Sequence, residues 1–425
     1  MIHKTIVIIS TFDTKGPEAA FLKALLQERG HRAILMDTNT GGEPSILPDI
    51  SAAEVAEAGG GNIVEIRKMK DTKKITSIMV EGAIKKVKEH LEKGELDGII
   101  SFGGASNTAT ATAIMKALPF GIPKVMLSST AAMPAYAGGY FGTKDIGIIH
   151  SVVDIAGLNP LVKDVLRRAA GAICGMVEMA EGPPSLTKAT QEKDLIALTE
   201  FKFSEECCSH IRHLLEKRGF EVIPFHAQGI SDRAMEELIG EGLFQGVLDI
   251  VPAGVGEEIL GGNRAAGPHR LENAGKMGIP QLVTPCGFDM LSCGPLERGD
   301  RGDPLWISRD IKNRKRFVQD AFRVQARTAP QELKEIAREV AKKLNRSRGP
   351  VSMLIPLRGW SSLDQEGMPL YNPEADCAFV DELKIHIDPR IPVIEFDLHL
   401  NTQEFAQEAV DQFLNLYEES KKRRC

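Results

Sequence analysis

Short, uninterrupted apolar runs separated by longer amphipathic stretches organise this chain. In the first half, runs of Val, Ile and Leu character fall at 4–10, 32–36, 97–102, 123–128 and 146–153. They lack the alternation of a half-exposed strand, so they predict strands buried on both faces, as in a parallel sheet. Helical patterning lies between them at 16–29, 77–93, 107–118 and 160–171. Asn159 before Pro160 gives the last of these a cap and a first-turn proline. Ser51-Ala-Ala-Glu54 has capping-box spacing. It sits in a longer excursion, 37–76, with the turn Gly59-Gly-Gly61, expected to cover a cleft or build a subunit contact.

The second half repeats the scheme. Strands are predicted near 193–199, 221–225, 246–250, 280–284, 351–355 and 391–396. Helices are predicted at 308–323 and 329–344, with a last one from about 402. Lys4 to Gly30 and Lys193 to Gly219 span the same 26 residues, each a strand, a polar loop and a helix closed by Arg-Gly. Gly121-Ile-Pro123 and Gly278-Ile-Pro280 form a second echo. Glu181-Gly-Pro-Pro184 breaks the pattern, which restarts at Lys193. The fold class is therefore α/β, with two Rossmann-like or flavodoxin-like parallel-sheet domains related by internal duplication. The expected domains are a nucleotide-binding domain at 1–184 and a second α/β domain at 185–425, with a hinge at 181–190 and chemistry in the cleft between them.

A chain of 425 residues suits two cores rather than one. The net charge of −6 and the 5 % aromatic content argue against nucleic acid as a partner. Two basic runs, Lys312-Asn-Arg-Lys-Arg316 and Lys421-Lys-Arg-Arg424, read as solvated faces. No apolar run reaches the roughly 18 residues needed to span a bilayer, and no leader precedes the first strand. Seven cysteines without metal or disulfide spacing fit a reducing compartment, so a cytoplasmic protein with no cysteine-based metal site is expected.

Ligands of open parallel sheets bind beyond the carboxyl ends of the strands. Four such ends in the first half are small and polar: Ser10-Thr-Phe-Asp-Thr-Lys-Gly16, Asp37-Thr-Asn-Thr-Gly-Gly42, Gly103-Gly-Ala-Ser-Asn-Thr108 and Ser128-Ser-Thr130. Gly103 and Gly104 let backbone approach an anion, and Ser106, Asn107 and Thr108 open a helix whose free amides favour phosphate. Thr11, Thr14, Ser128, Ser129 and Thr130 add donors, and Lys15 a point charge. Asp13 is a candidate Mg²⁺ ligand or catalytic base; alternatively, it or Thr14 caps the helix from 16. No P-loop and no G-x-G-x-x-G occurs, which disfavours a dinucleotide oxidoreductase.

The second half offers a different set. Ala266-Gly-Pro-His-Arg-Leu271 reads as a loop opening a helix, and cations there suit a bound anion better than the dipole. Arg264, His269, Arg270 and Arg358 are thus anion candidates, with Asp364 and Asp376 as further ligand contacts. Asp289 and Glu374 are acid–base candidates. Cys286 and Cys293 read as buried thiols, and His386 as an ordinary helix residue.

Taken together, Thr11-x-Asp-Thr-Lys-Gly16, Phe102-Gly-Gly-Ala-Ser-Asn-Thr108, Ala266-Gly-Pro-His-Arg270, Asp289-Met290 with Gly294-Pro295, Pro356-Leu-Arg-Gly359 and Pro373-Glu-Ala-Asp376 resemble an uncharacterised bacterial and fungal family. That family is related to the ATP-binding N-terminal region of the tomato mosaic virus resistance protein. The resemblance runs along essentially the whole chain in the same order. It implies two α/β subdomains, a homodimer and an ATP site in the first subdomain, beside which Asp13 is the candidate ligand for Mg²⁺. Three functional classes follow: an ATP-binding enzyme acting on a small anionic metabolite, an ATP-independent hydrolase, lyase or isomerase of a sugar acid, and a non-catalytic ligand-binding module.

Overall fold

The computed structural model describes residues 3–180 and 192–424. Two compact units make up the chain, Met1–Thr187 and Lys188–Cys425. The expected boundary at Glu181–Pro184 and the hinge at 181–190 lie outside the described residues.

The first unit is built on β1 (Thr5–Ser10), β2 (Arg32–Asp37), β3 (Gly98–Gly103), β4 (Lys124–Ser128) and β5 (Ile146–His150), all parallel in the order β2-β1-β3-β4-β5. The unbroken apolar run of β1 has its physical reason here. Ile6 and Ile8 enter one core with Leu22, Leu26 and Ala169, while Val7 and Ile9 enter the opposite core with Met79, Val87 and Ile114. Each such burial is worth about 1.5–3 kcal/mol relative to exposure. A polar residue at any of the four positions would have no solvent face to occupy. The 37–76 excursion packs into this unit's own core through Val55, Ala56 and Ile66. Its helix Ala52–Ala58 carries the capping box expected of Ser51 and Glu54. That helix runs so close to Thr72–Glu92 that a Cβ on Gly82 would fall 1.8 Å from the Val55 carbonyl oxygen.

In the second unit β6 (Leu195–Glu200), β7 (Glu221–His226), β8 (Gly246–Asp249), β9 (Gln281–Val283), β13 (Val351–Pro356) and β14 (Val393–Phe396) form a parallel sheet ordered β14-β13-β9-β8-β6-β7. Its first strands run in the order of the first sheet: second, first, third, fourth. Such sheets reverse direction between their first and third strands, the place where doubly wound folds take ligands. The switch points are therefore β1/β3 and β6/β8.

A helix expected at 308–323 is replaced by strands. Among the described residues, β10 (Met290–Gly294), β11 (Arg316–Val318) and β12 (Val324–Arg327) form an antiparallel sheet ordered β10-β12-β11. The helical pattern there lost to tertiary partners. Trp306 Nε1 donates to the Cys293 carbonyl at 2.9 Å, and Asp310 turns the chain in a left-handed conformation (φ 50°). The basic run 312–316 is correspondingly not all solvated. Arg314 clamps Glu332 at 2.6 and 2.9 Å, and Arg316 lies 5.8 Å over the Trp306 ring. Among the described residues, no helix is long and apolar enough to cross a membrane.

Candidate functional site at the first switch point

β1 ends at Ser10, and the next helix spans Phe12–Glu28 rather than 16–29. Its first amide, Phe12 N–H, donates to Asp37 Oδ1 at 3.0 Å, so a carboxylate 25 residues away satisfies the helix start. That partner is invisible locally, and it places Asp13 and Thr14 inside the helix instead of at its cap. Thr11 occupies the cap position without a side-chain capping bond, its hydroxyl 3.2 Å from that of Thr14. Asp37 Oδ1 also accepts from Asn39 N–H at 3.0 Å. Burial pushes the Asp37 carboxyl above its ordinary range, against the pull of those two amides, and its Oδ2 is buried without a hydrogen-bond partner.

Asp13 joins the β1 loop to the β2 loop, its Oδ2 accepting from Gly42 N–H at 3.3 Å. Its Oδ1 is buried and unpartnered. Lys15, expected to offer a free charge, donates through its ammonium to the Ile155 carbonyl. Nearby, Glu18 is buried and accepts from Gly157 N–H at 2.7 Å.

The β3 loop meets this edge from the other side. Gly103 has φ 153°, and a Cβ there would lie 2.8 Å from the Asn107 side chain, so the turn demands glycine. Asn107 Nδ2 donates to the Phe102 carbonyl at 2.5 Å and to Ser10 Oγ at 3.1 Å. Gly104 is different: a Cβ would find only Ser129 Oγ, at 3.8 Å, so this position faces open space. The helix Ala105–Lys116 begins there, and Ser106 is exposed in its first turn. The first amides of a helix have no partner within it. Thr108 Oγ1 lies 2.8 Å from both the Gly104 carbonyl and Ser128 Oγ, and the Thr130 amide donates to Ser128 Oγ at 3.1 Å. Ser129 N–H donates to the Gly103 carbonyl at 3.1 Å. All four polar loops thus stand on one edge and are tied to one another.

The candidates of the second unit are differently disposed. Arg270, expected to hold a ligand anion, holds carboxylates of its own chain instead. Fully buried, it grips Asp249 at 2.6 Å through both terminal nitrogens and reaches Glu236 at 3.2 Å and Asp232 at 3.4 Å. Burial opposes its charge, but these carboxylates outweigh that and push its pKa up. Arg264 is likewise buried against Glu257, with Nε 2.8 Å from Oε1, and packs over Phe201. Arg358 is exposed and its fork closes on Asp397 at 2.8 and 2.7 Å. His269 is solvent-facing beside Glu272, and Glu374 is exposed on the first turn of Pro373–His386.

Asp289, Asp364 and Asp376 do converge, but in the interior. Asp289 has no exposed surface, and its two oxygens accept from Gly287 N–H at 2.9 Å and Ser361 Oγ at 2.7 Å. Asp364 accepts from Trp360 N–H at 3.1 Å, and Asp376 pairs with Arg327. Burial, then the neighbouring Asp364, pushes Asp289 up to about 6, and burial also raises Asp376. This cluster holds the β9, β12 and β13 ends together and leaves no free oxygen of Asp289 for a ligand. The sequence reading missed Arg327, because Val-Gln-Ala-Arg carries no motif, and missed the carboxylates of Asp37 and Glu18. Cys286 and Cys293 are buried, as read, and burial pushes both thiols up, Cys293 to about 12. Among the described residues, no group of three or more His, Cys, Asp or Glu could hold a metal ion.

A family model described as "Uncharacterised protein family (UPF0261) N-terminal domain" matches residues 4–182, and its C-terminal domain counterpart matches 193–417. The chain belongs to the UPF0261 family. A UPF0261 protein of Clostridium tetani is 37 % identical over 98 % of this chain and 100 % of its own length. The ToMV resistance protein Tm-1(GCR237) of Solanum lycopersicum is 32 % identical over 79 % of this chain, which corresponds to 43 % of that protein. Among solved structures, UDP-N-acetylglucosamine 2-epimerase from Rickettsia bellii is similar at 13 % identity, covering 66 % of this chain and 79 % of that one. Its TM-score of 0.23 carries no argument.

Proposed function

We propose that this UPF0261 protein binds ATP with Mg²⁺ at the β1/β3 switch point and is an enzyme acting on a small anionic metabolite. The observation that carries the reading is the Gly104 turn. It leaves open space at the start of the Ala105–Lys116 helix, with Ser129 Oγ as the nearest side-chain atom and the hydroxyls of Ser128 and Thr130 on the same adjoining loop. A phosphate chain suits that cradle, because glycine permits close approach and the helix amides and dipole favour anionic oxygens. The amides of residues 105–107 and the hydroxyls of Ser106 and Ser129 would hold the phosphates. Mg²⁺ needs only one or two protein carboxylates beside phosphate oxygens, and Asp13 has an unpartnered oxygen on this edge. Bound ATP would supply a transferable phosphoryl group. The choice of ATP, and of a homodimer, rests on the family resemblance.

The test is the thermal shift of the purified protein with ATP and Mg²⁺ against ADP, NAD and phosphate, since a ligand of the folded state raises Tm by mass action. A shift confined to adenine nucleotides and abolished by Gly104→Val supports the reading; unchanged ATP affinity in that variant sinks it. A shift with phosphate alone would favour an ATP-independent sugar-acid enzyme or a binding module. Light scattering of the same sample tests the dimer.

A further inference from the structure

The second sheet has a carboxyl edge of its own, and a cavity of about 840 Å³ opens there. Loops that follow four strands reach it: Glu200 and Lys202 at β6, His226 at the end of β7, Gln365 beyond β13 and His399 beyond β14. Arg212 enters from the helix Glu205–Glu216. Elsewhere in this unit the buried guanidinium groups are matched to carboxylates, as with Arg264, Arg270 and Arg327. Here the charges are unmatched. Among the described residues Glu200, Lys202, Arg212 and His226 form no ion pair and no side-chain hydrogen bond, although they line one space.

His399 is a fixed wall of this cavity rather than a reactive group. Its Nδ1 accepts from Asn401 N–H at 3.1 Å, which leaves the proton on Nε2, 3.0 Å from the Ser361 carbonyl oxygen. Asn401 is committed as well, with Nδ2 donating to the Phe203 carbonyl at 2.9 Å. The free partners are therefore carboxylates that accept, Lys202 and Arg212 that donate, and the Gln365 amide and His226 ring that do both.

That mixture selects a ligand class. A hydroxyl both donates and accepts, so a ligand rich in hydroxyls uses acceptors and donors facing one space. Glu205 and Glu206 also line the cavity, and they stand in the first turn of their helix, where its dipole favours anions. Three carboxylates against two cations repel a polyphosphate, whereas a ligand with a single anionic group meets Lys202 and Arg212 at lower electrostatic cost. We infer that this cavity binds a small polyhydroxylated monocarboxylate, an aldonate-type sugar acid, through Lys202 and Arg212 at the carboxylate and Glu200, His226 and Gln365 at the hydroxyls. This deepens the metabolite half of the reading above and rests on none of its nucleotide half.

Isothermal titration calorimetry of the full chain decides it, with a panel of aldonates led by D-gluconate, and with sorbitol and acetate as controls that carry only the hydroxyls or only the charge. The expected result is saturable heat with an aldonate at millimolar concentration and at least tenfold weaker binding of both controls. Lys202→Ala with Arg212→Ala abolishes the preference for acid over polyol, and Glu200→Gln weakens both. Gly104→Val leaves the aldonate heat intact, so loss of nucleotide binding and loss of this site are told apart. Both cationic positions lie at the cavity surface, and an unchanged melting temperature checks that the variants fold. The inference is overturned if no aldonate binds, if acetate binds as well as gluconate, or if the double variant binds unchanged.

Discussion

The side-chain amide of Asn107 donates to the hydroxyl of Ser10 across 3.1 Å, tying the turn after β3 to the last residue of β1. The same amide holds the Phe102 carbonyl, so one side chain fixes both walls of the first switch point. Asn107→Ala removes these bonds, each worth about 0.5–1.5 kcal/mol net. With ATP at the proposed site, a several-fold rise in its dissociation constant and only a small fall in Tm are expected from calorimetry and melting curves. Unchanged affinity would show that the turn holds its shape without this tie.

Arg270 and Arg358 make a contrasting pair. Removing the Arg270 side chain strands Asp232, Glu236 and Asp249 in the interior, and breaking a buried pair in this way costs about 3–5 kcal/mol. Denaturant unfolding of Arg270→Met should show that loss, while Arg358→Ala, whose partner Asp397 is exposed, leaves the midpoint unmoved. Equal effects would contradict the burial argument.

Asp289 makes stability depend on pH with a definite sign. Its folded pKa, about 6, exceeds the ordinary aspartate value of 3.8, so the native state binds more protons than the unfolded chain between these values. Stability from this group is full below 3.8 and is lost as pH rises through about 6, by on the order of 3 kcal/mol. Asp376 is shifted the same way. Melting temperature should therefore fall more steeply over this window in the wild type than in Asp289→Asn. Parallel profiles would refute the assignment.

Asp37 acts as a helix cap supplied from another strand. Asp37→Ala leaves the Phe12 and Asn39 amides without their acceptor and should cost about 0.5–2 kcal/mol, as other cap losses do. Asp37→Asn retains an acceptor oxygen and sheds the burial cost of a charge, so it should lose less. Urea midpoints of the two variants give the comparison, and a more damaging Asn would refute the cap.

The strand runs, the capped helices at Ser51 and Asn159, the repeated strand–loop–helix scheme and the polar strand ends were all legible in the chain. These features depend on neighbours within a few residues and on burial of both sheet faces, which leave a local signature in residue type. The partners of Arg270, Arg264 and Asp289 were not legible. An arginine near a helix start looks the same whether it meets a ligand or three carboxylates brought from β8 and from the helix Ile230–Gly240. The helix start at Phe12, set by Asp37, and the strands that replaced the helix at 308–323 have the same origin. By itself the sequence determined the strands of the two parallel sheets, most of the helices between them and which strand ends are polar. Tertiary structure alone decided which charges are neutralised inside and which are left to face open space, because pairing energy depends on distances that only the folded chain sets.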